Sequence, residues 1–210
     1  MKEINLIEQA IRSTNEESTR LMLEQFLRAN TVVRDEKLDL TKFVSKDEQK
    51  PAMTGILHEN GLKVATDGSI LVAIFSHYKS ELEGKVITPK GHIIDGTFPN
   101  WKLVLPTLES LKTVKLNHLF DTMLRKIKQA ETIAKIDSKN VFVSIPCDNE
   151  KMFFRSDYFK NFLAFIRTYP GVKMGIKENK ENSFIYASNN INLCLLMSFS
   201  AVNDCVVVDF

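Results

Sequence analysis

The sequence predicts an α+β protein, antiparallel sheet with helices packed on one face, and three observations lead there. Apolar residues recur at helical spacing in two long segments of the second half. Short β-rich runs alternate with Asn-Gly, Asp-Gly and Pro-Lys-Gly turn signals, and the second half reads strand, helix, strands, twice in succession. With 210 residues, 44% of them apolar, and only 8 Gly and 6 Pro, the chain can bury a real core without cross-links, and it shows no repeat or low-complexity tract.

Leu6, Ile7, Ala10 and Ile11, then Leu21, Leu23, Phe26 and Leu27, fall at helical spacing within 4–27. The polar stretch 13–18 competes for backbone hydrogen bonds, so two short helices are expected rather than one. A charged connector at 34–50 leads to strands at 53–58, 62–66 and 70–75. Asn60-Gly61 and Asp67-Gly68 between them suit tight hairpin turns, giving a three-stranded meander. Strands at 85–88 and 92–94 flank Pro89-Lys90-Gly91, and Phe98-Pro99-Asn100-Trp101 forms a loop with a buried aromatic. The second half begins with a strand at 110–116 and a helix at 117–136, capped by Asn117, with Phe120, Met123, Leu124, Ile127 and Ala134 on one side. Strands at 141–145 and 152–154 precede a helix at 156–168, capped by Ser156, with Phe159, Phe162, Leu163 and Ile166 as its apolar face. Pro170-Gly171 ends it, and strands at 172–176, 184–187, 193–199 and 205–210 complete the chain.

Reactive chemistry finds little support. His58, His77, His92 and His118 are scattered, with no Ser or Cys beside them in a nucleophile pattern. Asp67 and Asp95 each precede a Gly and read as turn residues rather than an acid and base. Cys147, Cys194 and Cys205 lack metal-ligand or disulfide spacing, and no phosphate-cradling glycine motif is present. The expectation is a protein without catalytic residues, metal or cofactor. The N-terminus does not read as a secretory signal, and no apolar run is long enough for a membrane span, which points to a soluble cytoplasmic protein with no membrane partner. Net charge is +2, so contact with a polyanion must come from local placement. Arg125, Lys128, Gln129 and Thr132 share the polar face of the first long helix, and Lys160 and Arg167 flank Ala164 on the second. By composition these faces read first as solvated surface, and the functional alternative is a row of phosphate contacts without base readout.

Two motifs add a family resemblance. Met53-Thr54-Gly55-Ile56-Leu57 with Leu62-Lys63-Val64-Ala65-Thr66-Asp67-Gly68 resembles the middle domain of the bacterial β sliding clamp family, where a strand with this glycine pairs with one ending V-A-T-D-G. Phe98-Pro99-Asn100-Trp101-Lys102-Leu103-Val104-Leu105-Pro106 is similar to the family's F-P-D-Y-R-R-V-L-P segment, which links its middle and last domains. The layout from Phe154 to Met197 is similar to the closing half of a clamp's last domain. This chain departs at Ser69-Ile70, where the family has His-Arg, at Leu103, where it has Arg, and at Met197-Ser198-Phe199, where it has M-P-M.

The resemblance implies a DNA-clamp-like fold divided into an N-terminal helical region (1–45), a reduced clamp-like domain (46–106) and a more complete one (107–210). It implies a DNA replication and processivity accessory whose helices face double-stranded DNA without sequence preference, through Arg125, Lys128, Lys160 and Arg167. It further implies a pocket for a peptide of a polymerase or other replication protein, walled by Met53, Thr66, Gly68, Leu71, Pro99, Val104, Ser183, Leu195, Met197 and Phe199. A ring would require a homo-oligomer. The alternative expectation is a protein–protein interaction module of the same fold that no longer encircles DNA.

Overall fold

The computed structural model describes residues 38–76, 78–107, 110–113, 120–147, 150–169, 171–177, 183–189, 191–199 and 204–210. The helices expected at 4–27, His77, His118 and the cap at Asn117 lie outside them. The described chain is α+β, with antiparallel sheets and two long helices, as the sequence predicts.

The meander consists of β1 (Ile56–Glu59), β2 (Leu62–Thr66) and β3 (Ile70–Phe75). Its first turn places Asn60 at φ 52° and Gly61 at φ 72°, the left-handed pair that matches hairpin twist. In the second turn the Asp67 carboxylate accepts the Ser69 and Ile70 amides at 2.8 and 3.1 Å, which is the turn role expected of it. β1 starts later than expected because Pro51–Thr54 forms a 3-10 turn. Pro51 presets φ, and the Thr54 hydroxyl donates back to the Pro51 carbonyl at 2.8 Å. The segment expected to be only a charged connector also does more: beyond Leu38 it buries Leu38, Leu40 and Phe43 in the main core. Asn161 holds it in place, donating to the Lys42 carbonyl at 3.1 Å.

Further along are β4 (Val86–Ile87), β5 (Ile93–Ile94), β6 (Lys112–Thr113), α1 (Phe120–Ile136), β7 (Asn140–Cys147), β8 (Glu150–Arg155) and α2 (Ser156–Thr168). β9 (Lys173–Lys177), β10 (Phe184–Ser188), β11 (Leu193–Met197) and β12 (Cys205–Asp209) follow. Ser156 does not cap α2 as expected. Arg155 holds the cap position with no side-chain bond, and the Ser156 hydroxyl, already inside the helix, donates to Glu131 at 2.7 Å.

Among the described residues the sheet order is β5-β4-β1-β2-β3-β11-β10-β9-β6, with a second sheet β12-β7-β8. The two halves of the chain therefore share one sheet, joined where Leu71 faces Leu195 and Val72 faces Cys194. β12 runs parallel to β7, against the antiparallel expectation. No hairpin dictates its direction, because β8, α2 and β9–β11 intervene.

β3 is apolar at every position because both of its faces are covered. On one, Ile70, Val72 and Ile74 meet Met123 and Ile127 of α1 and Phe159, Phe162, Leu163 and Phe165 of α2. On the other, Leu71 and Ala73 join Val64, Leu195, Phe98 and Trp101. Trp101 is buried as expected, its indole N–H donating to Glu59 at 3.0 Å, and Lys102 pairs with the same carboxylate at 3.1 Å.

Candidate functional site

α1 and α2 lie antiparallel, since the first turn of α1 meets the last turn of α2. Asp121 pairs with Arg167 at 3.4 Å, and ten residues later Glu131 accepts Lys160 Nζ at 2.7 and 2.9 Å. The two pairs differ in kind. Glu131 and Lys160 are 25% and 32% exposed, and the Ser156 hydroxyl bonds the same carboxylate. Burial opposes ionisation of Glu131, but the bonds from Lys160 and Ser156 outweigh it and hold its carboxyl below the usual range. Asp121 and Arg167 are 87% and 65% exposed, and only water competes with their contact.

Of the four cations the sequence singles out, Arg125, Lys128 and Arg167 line one open groove of about 450 Å³, together with Asp121, Leu124, Gln129 and Thr132. Lys160 does not join them, being held at the far end of the helix pair. Charge spacing along single helices gives no sign of this, because the acids that bind Lys160 and Arg167 sit on the other helix. Asp121 and Glu131 were the available signal. A second groove, beside Lys135, Lys139 and Arg155, is more nearly neutral: Lys139 pairs with Asp204 at 2.9 Å and Arg155 with Asp157 at 2.7 Å. Arg125, Lys128 and Lys135 form no ion pair with the described residues.

Of the second set of candidates, Met53, Thr66, Gly68, Leu71, Leu195 and Met197 meet at the β2–β3–β11 junction. Leu71 faces Thr66 across one strand pair and Leu195 across the other, and the Met197 amide donates to the Ser69 carbonyl at 2.9 Å. Thr66 Oγ1 donates to the Ile70 carbonyl and accepts the Gly68 amide, which keeps this turn closed. Met53 reaches the same corner, as a Cβ at Gly68 would lie 3.5 Å from its terminal methyl. Leu71, Leu195 and Thr66 are buried, Met197 is half-buried, and Pro99 and Val104 are exposed. Leu103, which the sequence did not nominate, is 80% exposed beside Val104. Ser183 and Phe199 sit at the edge of this set. The Ser183 carbonyl accepts the Ser198 amide at 2.9 Å, and Phe199 bridges to Phe153 and packs edge-on to Phe142.

Tyr158 links the two regions. On α2 it stands beside the Asp67 carboxylate of the β2–β3 turn, and burial, together with that neighbouring carboxylate, pushes its pKa up to about 12. Among the described residues no group of three or more His, Cys, Asp or Glu could hold a metal ion, and no helix is long and apolar enough to cross a membrane.

No family model and no curated protein matches the sequence. Solved structures do. A β sliding clamp from Caulobacter crescentus, with PEG bound, superposes at TM-score 0.59 and 14% identity over 77% of this chain and 62% of its own. A DnaN sliding clamp (DNA polymerase III subunit beta) from Bartonella birtlesii, bound to griselimycin, gives 0.54 and 16% over 76% and 61%. A further Caulobacter crescentus sliding clamp gives 0.53 and 14% over 81% and 68%. This chain thus spans about three fifths of the length of the first two, and it has the fold of bacterial sliding clamps.

Proposed function

We propose that this chain acts as a sliding-clamp-like accessory in DNA replication, associating with duplex DNA without reading its sequence and docking a peptide of a partner protein. The observation that carries the reading is the α1–α2 pair on a clamp-type sheet. It presents Arg125 and Lys128, both exposed and without an ion pair among the described residues, on the side away from the core. Cations spaced along a helix suit phosphates, whose contacts position a protein without specifying sequence. The peptide would lie on Met197, Val104 and Pro99, the accessible residues of this set, with Leu71 and Leu195 buried beneath them as support for an apolar patch suited to a Leu or Phe anchor. The function is non-enzymatic and cytoplasmic in this reading. In this reading a ring around DNA would be a homo-oligomer.

Retention on closed circular DNA, lost when the circle is cut, is the expected behaviour. Reversing Arg125 and Lys128 to Glu should abolish it; unchanged association of that variant would sink the proposal. A second reading, an interaction module that does not encircle DNA, is favoured by the net charge of +2 and by the acids that already hold Lys160 and Arg167. A stable monomer at micromolar concentration would select it.

A further inference from the structure

We infer that Asp121 occupies the anion position of the α1–α2 groove, so that the protein's own carboxylate competes with backbone phosphates for Arg167 and weakens the hold on DNA. This rests on the DNA-associating reading above. Asp121 stands one helical turn before Arg125 and two before Lys128, and its Oδ1 lies 3.4 Å from Arg167 Nη1 in the groove that all four residues line. Glu131 provides the internal contrast. It is half-buried and held by two residues at 2.7 Å, so it acts as a lock between the helices. Asp121 is exposed and makes a single longer contact to a cation that is itself exposed, so an incoming phosphate can displace it. A guanidinium offers a fork that fits a phosphate as well as a carboxylate. Among the described residues the groove therefore presents two cations without an ion pair, Arg125 and Lys128, and a third in reserve.

Counterion release makes this measurable, since each phosphate contact contributes about 0.9 to the slope of log affinity against log salt. Binding of a closed circular duplex of arbitrary sequence is followed by co-sedimentation across a salt series, with thermal melts of every variant to confirm folding. Asp121→Asn keeps the side chain's shape and removes its charge. Affinity is expected to tighten by about threefold, the scale of one exposed ion pair, and the slope to steepen by about one. Adding Arg167→Ala to that variant should return both to the parent values.

Unchanged affinity and slope in Asp121→Asn, with binding still abolished by Arg125→Glu/Lys128→Glu, overturns the inference and leaves the DNA reading standing. A gain that survives Arg167→Ala also overturns it, because the effect is then general charge and not this pairing. Binding that ignores the Arg125 and Lys128 reversals overturns the functional reading itself.

Discussion

Glu131 accepts hydrogen bonds from the Lys160 ammonium and the Ser156 hydroxyl across the helix interface, and its folded pKa is depressed as a result. A depressed carboxylate stabilises the fold above its unfolded pKa, about 4.3, and that contribution is lost as pH falls through the lower folded value. Glu131→Gln should cost about 1 kcal/mol near neutral pH. The gap between the parent and variant melting temperatures should narrow as pH falls below the unfolded value and close once the folded carboxyl is protonated; a gap that does not narrow in acid would show that charge is not the cause. Gly55 illustrates a constraint of another kind. Its backbone is extended at φ −122°, which any residue adopts, yet a Cβ would come within 2.7 Å of Val86 Cγ1 and 2.9 Å of the Ile87 carbonyl oxygen. The carbonyl belongs to the β1–β4 ladder and cannot swing aside. Gly55→Ala should therefore lose about 1–3 kcal/mol, seen as a lower denaturant midpoint with unchanged slope.

At the scale of elements, the helix pair separates cations that hold the fold from cations that face outward. Lys160→Ala leaves Glu131 half-buried with one donor and should destabilise by about 1–2 kcal/mol. Arg125→Ala and Lys128→Ala, exposed and without an ion-pair partner among the described residues, should stay within about 0.5 kcal/mol in the same melts. Equal losses in all three would contradict this division. The contrast also shows where the sequence is legible. Both helices, the β1–β3 turns and the buried Trp101 follow from local signals, because periodicity and Asn-Gly or Asp-Gly chemistry act over a few residues. The role of Lys160, the parallel β12 and the burial of Leu38, Leu40 and Phe43 depend on partners distant in the chain, 29 positions away in the case of Lys160, and no spacing rule reaches that far. The candidate peptide floor is intermediate. Its strands are readable, but the β3–β11 junction that brings Leu71 to Leu195 is a matter of topology.

For the whole molecule, that junction decides how the chain should unfold. Motif content divides the sequence near Pro106, and two units so divided could melt separately. The sheet, however, runs from β5 through β3 into β11 and on to β6 without a break among the described residues. Its helix-covered face packs Ile70, Val72 and Ile74 from the first half against Phe159, Phe162 and Leu163 from the second. Removing either half would expose this apolar surface and open a strand edge, a cost that neither half can recover alone. Folding should therefore be a single cooperative event. Trp101 is the one tryptophan and lies in the first half, whereas both described long helices lie in the second, so two probes report on different halves. Tryptophan fluorescence and helical circular dichroism should trace the same denaturant midpoint, and Leu195→Ala, placed on the second half, should shift both equally by about 2–5 kcal/mol. Two separated midpoints, or a shift seen by circular dichroism alone, would mean that the halves fold independently and that the β3–β11 seam is a docking contact instead of the centre of one core.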